Sequence, residues 1–146
     1  MRAEHSVSIW IDAPPQQVWD VVTHWESQGE WMPMTRIWRT GGRPGEVGEE
    51  FTARTGLGPL GFDDTITVRQ MDAPHLCEVA HTGRVVRGLG EFRCVPQRSG
   101  THFTWWEQVE VPGGPVAPVL WTLARLPLHI VFGVAMRRLK RYVERQ

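Results

Sequence analysis

The sequence predicts one α+β domain, a curved antiparallel sheet of seven strands wrapped around a long C-terminal helix, with two short helices after the first strand. An alternating segment opens the chain, short alternating segments separated by turn residues fill Met34 to Pro112, and the period becomes helical from about Pro115. At 146 residues the chain has the length of a single domain, spanning 1–146.

His5 to Ile11 alternates, with Val7, Ile9 and Ile11 on one face and Ser6 and Ser8 on the other, which predicts a half-buried strand. Asp12-Ala13-Pro14-Pro15 then reads as a helix start, with Asp12 as the cap and prolines in the first turn. A helix over 16–24 places Val18, Trp19 and Val22 together. A second short helical piece over 26–31 contains Gly29 and ends before Pro33.

Six strands are predicted at 34–40, 47–55, 62–71, 76–82, 87–95 and 101–111, an antiparallel meander because the intervening turns are short. Val119, Leu120, Leu123, Leu126, Ile130, Val131, Val134 and Leu139 form the apolar stripe of the last helix, and Pro127 predicts a kink or break near Leu126. The stretch 116–136 is about as long as a bilayer span. It also contains Pro118, Arg125, Pro127 and His129, and a sheet can cover it, so a buried amphipathic helix is expected and membrane contact is not.

Sixteen basic and sixteen acidic residues cancel, which argues against a nucleic-acid partner. Five cations among the last ten residues complement the dipole of a terminal helix. Two cysteines, Cys77 and Cys94, make neither a disulfide framework nor a metal site, and no apolar run of signal-peptide length opens the chain. A reduced, cytoplasmic protein, monomer or homodimer, is the expectation. The eight tryptophans suit cavity walls and ordinary cores equally.

Hairpin geometry places side chains. Turns centred between Ala73 and Pro74, Val85 and Val86, and Arg98 and Ser99 put Ile66, His81, Gly90 and Glu107 in one row. The next rows are Val68, Val79, Phe92 and Trp105, then Gln70, Cys77, Cys94 and Phe103. All share a face, and the wholly apolar row marks it as the one under the helix. Asp64, His81 and Glu107 are thereby brought inside, with His81 and Glu107 separated by Gly90 at a Cα spacing of roughly 10 Å, room for a water or a ligand atom.

The segments Ile11-Asp12-Ala13-Pro14-Pro15-Gln16-Gln17-Val18-Trp19, Trp31-Met32-Pro33, Gly45-Glu46-Val47-Gly48, Val68 to Leu76 and Pro96 to Trp105 give the chain its resemblance to a known family. It resembles the polyketide cyclase/dehydrase and lipid-transport family of the START-like (SRPBCC, birch-pollen-allergen-like) superfamily. The resemblance implies a helix-grip fold around a ligand cavity. It transfers no catalytic residue, because members include cyclases, lipid carriers and plant ligand carriers.

Glu107 and His81 are the candidate acid–base pair. Asp64, Trp31, Trp38, Phe51, Phe62, Phe92, Trp105, His129, Phe132 and Met136 are candidate ligand contacts. No HxH or HExxH spacing suggests a metal, and no cofactor is implied. Three functions fit: a carrier of a small hydrophobic molecule, a cofactor-independent cyclase/dehydratase using Glu107 and His81, or an interaction module whose interior is filled by side chains.

Overall fold

The structure, a computed structural model, describes all 146 residues. Strand β1 (Arg2–Ile11) leads into helix α1 (Pro15–Val22), a 3-10 turn at Trp25–Ser27 and helix α2 (Gln28–Trp31). Strands β2 (Thr35–Gly41), β3 (Glu50–Thr55), β4 (Phe62–Asp72), β5 (Leu76–Thr82), β6 (Arg87–Gln97) and β7 (Gly100–Glu110) follow, and helix α3 (Ala117–Glu144) closes the chain. The order in the sheet is β1-β7-β6-β5-β4-β3-β2 with every pair antiparallel, the helix-grip arrangement.

Asp12 does not cap α1. Pro14 occupies that position, and its carbonyl accepts from the N–H groups of Gln17 and Val18. The Asp12 N–H instead donates to Glu144 at 2.8 Å, and Lys140, which holds Glu144, also donates to the Trp10 carbonyl at 3.1 Å. These contacts pin the end of α3 to the end of β1.

The β6–β7 register follows the expected hairpin, pairing Gly90 with Glu107 and Phe92 with Trp105. Between β4 and β5, Ile66 faces His81 and Val68 faces Val79, but an irregularity between Val68 and Gln70 then sets Met71, rather than Gln70, opposite Cys77. Between β5 and β6 the register differs by two residues: Cys77 faces Phe92, Val79 faces Gly90 and His81 faces Gly88. Cys77 and Cys94 are consequently not opposite each other. The reversal lies between Arg84 and Val85, one residue earlier than turn composition suggested. Because the β5–β6 offset is even, the side chains of those two strands keep their faces, whereas the one-residue irregularity in β4 turns Gln70, expected inward, out to solvent and Met71 in against the core.

Helix α3 departs most from expectation. It runs unbroken through Pro127, and its inward line is Ala117, Trp121, Ala124, Leu128, Phe132, Ala135, Leu139 and Val143, spaced three or four apart. Apart from Ala117, only the C-terminal part of that line is deeply buried. Val119, Leu120, Leu123, Leu126 and Ile130, expected under the sheet, lie on the opposite side and are exposed, Leu123 at 70% and Leu126 at 64%. The N-terminal half of α3 is apolar all round, so periodicity alone could not choose its buried face.

Gly88, at φ +144°, sits where an added Cβ would run into the Gln108 carbonyl of the neighbouring strand. Gly88→Ala is expected to destabilise the protein by about 2 kcal/mol or more, read as a lowered urea midpoint with an unchanged slope.

Candidate functional site: a charged trio in an aromatic-walled cavity

Three strands each deliver one ionisable side chain to the concave face: Asp64 from β4, His81 from β5 and Glu107 from β7. His81 Nδ1 lies 2.8 Å from Asp64 Oδ2, and its Nε2 lies 2.8 Å from Glu107 Oε2. The Trp105 indole N–H donates to the other Glu107 oxygen at 2.6 Å. The expected space for an intervening water is therefore closed by a direct hydrogen bond.

Gly90 is what lets the side chains meet. A Cβ there would stand 3.1 Å from His81 Nε2 and 3.2 Å from Glu107 Oε1. His81 reaches diagonally across the strand, since Gly90 is paired with Val79 and Glu107 rather than with His81.

An imidazole that donates through both nitrogens must carry both protons. Burial opposes that charge, but the Glu107 carboxylate and the hydrogen bonds to Asp64 and Glu107 outweigh it, pushing the His81 pKa up to about 10. Burial pushes the Asp64 carboxyl above its ordinary range, against the pull of the His81 hydrogen bond.

The trio forms part of the wall of a cavity of about 370 Å³, in which 18 of 29 lining residues are hydrophobic. The interior is thus hollow, against the filled-module alternative. Rings form a continuous wall: Trp25 stacks on Phe51 at 4.5 Å, Phe92 meets Trp105 edge-on at 5.2 Å, and Trp105 meets Phe132 at 4.5 Å. Exposed Val85, Pro112 and Ala124 mark a mouth between the β5–β6 turn, the β7–α3 connection and α3.

Asp64, Phe51, Phe62, Phe92, Trp105 and Phe132 line this space together with His81 and Glu107. Trp38 does not. It is 36% exposed, with the Arg36 guanidinium over its ring, because β2 is the edge strand and Trp38 points away from the concave face. Trp31 is fully buried behind Trp105, and Met136 packs in the core below the cavity floor, so both support the wall without lining it. His129 is exposed on the flank of α3, its ring 5.5 Å from that of His5.

His5, Trp25, Gln28, Trp121 and Leu128 line the cavity and were missed. His5 could have been found, because it shares the parity of Val7, Ile9 and Ile11 and pairs with Glu107 across β1 and β7. Burial, and then His129, lower its pKa, and neither ring nitrogen has a hydrogen-bond partner. Trp25 lies in a 3-10 turn, where no period reveals the inward side.

A curved sheet, a gripping helix and an apolar hollow with one charged cluster define a class of small-molecule-binding domain. The chain belongs to the polyketide cyclase/dehydrase and lipid transport family, whose model matches residues 2–144. No curated protein is similar in sequence. Among solved structures, the chain is similar to TTHA0849 of Thermus thermophilus, with TM-score 0.82, 12% identity and 97% of each chain covered. It is also similar to the ZhuI aromatase/cyclase of Streptomyces sp. R1128, with TM-score 0.76, 12% identity, and 99% of this chain and 95% of that one covered. The di-domain aromatase/cyclase StfQ of the steffimycin pathway matches with TM-score 0.80 and 10% identity over 99% of this chain, which spans 51% of that protein. At such identities the likeness concerns the fold.

Nitrogen-15 NMR of the histidine rings is expected to show His81 doubly protonated up to at least pH 9, and Glu107→Gln to lower its pKa. A folded-state pKa of about 10 against an ordinary 6.5 means that the trio's contribution to stability is complete below pH 6.5 and lost as pH rises toward 10. Urea unfolding at pH 6 and pH 10 should therefore differ by a few kcal/mol in the wild type and by less in Glu107→Gln.

Proposed function

We propose that the protein binds a small, largely apolar molecule in this cavity and orients it by a hydroxyl or enol group donated to Glu107. The observation that carries the reading is that the buried charged trio stands on the wall of the apolar hollow rather than inside the packed core. A structural ion cluster gains nothing from such a position. A carboxylate facing a low-dielectric space, by contrast, binds a donor far more strongly than it would in water. Glu107 already accepts one hydrogen bond on each oxygen and keeps further lone-pair capacity. A volume of about 370 Å³ suits a ligand of a few fused rings, and the stacked aromatic wall suits its faces.

A second reading, a cyclase or dehydratase, is favoured by the hydrogen-bonded carboxylate–imidazolium pair. With a β-hydroxy carbonyl compound, Glu107 would take the proton from the carbon beside the carbonyl. The C–O bond would then break as His81 gives its proton to the departing hydroxyl, releasing water. The captured proton would return to His81 along the Glu107–His81 hydrogen bond, restoring both groups. The family description and the aromatase/cyclase neighbours support carbonyl chemistry as the kind of reaction to look for.

Trp25 and Trp105 border the cavity, so their fluorescence reports occupancy. Titration with 2-naphthol and with naphthalene is expected to show saturable quenching by both. 2-Naphthol should bind ~10-fold or more tightly, a preference that Glu107→Gln reduces. Equal binding of the two probes by wild type and Glu107→Gln would leave a carrier with apolar walls alone, and no quenching by either would end the ligand reading. For the enzyme, Glu107→Gln should abolish turnover of a β-hydroxy ketone while leaving its binding within a few-fold.

A further inference from the structure

The outward side of α3 has no partner. Val119, Leu120, Leu123, Leu126 and Ile130 stand on it one above another, continued at the start by Val116, and all are exposed. Scattered exposed apolar residues are ordinary, but a contiguous stripe of large ones along one helix marks a contact surface. The helix is long and apolar enough to cross a bilayer, yet most of its apolar part is exposed rather than buried in the domain.

The stripe does not end in more leucines. Arg137 and Arg141 continue the same line roughly two and three turns beyond Ile130, with Arg138 beside them, and all three are exposed. Between Glu110 and Glu144 the chain contains no acidic residue, although its overall charge is zero. The outward side of α3 is thus apolar in its first half and cationic in its second, and the compensating acids lie elsewhere. The inner side of the same first half supplies Trp121, Ala124 and Leu128 to the cavity wall.

We propose that this side of α3 docks on an anionic lipid surface, the apolar half entering the interface and Arg137, Arg138 and Arg141 meeting the headgroups. A fluid bilayer accepts a convex, smooth apolar helix without the shape complement that a protein partner must provide. A line of cations with no intervening acid matches the sign of an anionic leaflet. A second copy of the chain would place the three arginines of each helix near those of its partner in a parallel contact, which like-charge repulsion opposes. Spanning is excluded, because the C-terminal half of α3 is the core helix of the domain. Docking leaves the inner side of α3, with Trp121, Ala124 and Leu128, facing the cavity. The assignment stands whether or not the cavity ligand is a hydroxyl compound.

The test is cosedimentation of the whole chain with sucrose-loaded vesicles of phosphatidylcholine and phosphatidylglycerol at three to one, and of phosphatidylcholine alone. Wild type should pellet with the anionic vesicles and bind the neutral ones at least tenfold more weakly. Leu123→Glu with Leu126→Glu should lose at least tenfold in affinity while keeping wild-type circular dichroism and 2-naphthol binding. Arg137→Gln with Arg141→Gln should lose roughly fivefold per arginine on anionic vesicles only. The proposal fails if wild type stays in the supernatant, if the leucine variant binds as well as wild type, or if both vesicle types bind equally. It fails too if sedimentation equilibrium shows a dimer that the leucine substitutions split, because a second copy then covers the stripe.

Discussion

A strongly bent sheet and one helix cannot close on each other without leaving volume between them, and that geometric constraint governs this molecule. Backbone cannot fill the space, because strand and helix spacings are fixed by hydrogen bonding and side-chain size. Here the two ends of the space are treated differently. Around Val18, Val22, Phe103, Leu139 and Val143 it is packed solid, and Lys140 and Glu144 lock α3 to β1 at that end. Around Asp64, His81 and Glu107 it is left open as the cavity. One end supplies the stability that allows the other to stay hollow.

The charged trio costs desolvation energy that a hydrocarbon filling would not. What makes it tolerable is mutual satisfaction: each nitrogen of His81 meets a carboxylate, and the Trp105 indole completes Glu107. The packing detail that permits this is an absence of atoms at Gly90. Two glycines two residues apart along β6 thus have different duties. Gly88 clears the Gln108 backbone, whereas Gly90 clears the side chains that carry the chemistry.

The topology and the inward placement of Asp64, His81 and Glu107 were legible because strand parity survives an error of two residues in register. The β5–β6 turn was expected one residue too late, which set His81 opposite Gly90 rather than Gly88, yet left it facing the cavity. What pairing rules could not supply was the diagonal reach of His81, because rotamers are chosen by packing and charge rather than by register. Trp38 failed for a different reason: a tryptophan on an edge strand reads like one on a cavity wall until the strand order is known. His5 was legible in principle from its parity, but a lone histidine on the first strand becomes notable only once β1 is known to lie beside β7.

The outer stripe of α3 was illegible as a surface for a reason that also bears on how deeply it can lie. A segment apolar on every side gives no phase to read, and burial was the economical assumption. Pro127 supplies a limit that the leucines do not. Lacking an N–H, it leaves the Leu123 carbonyl without its helical partner. In hydrocarbon such a group costs several kcal/mol, as no water is present to bond it. In the headgroup region water is available, and the carbonyl is satisfied. Together with the arginines that end the stripe, this confines the helix to the plane of the interface, with its inner side still serving as the cavity wall.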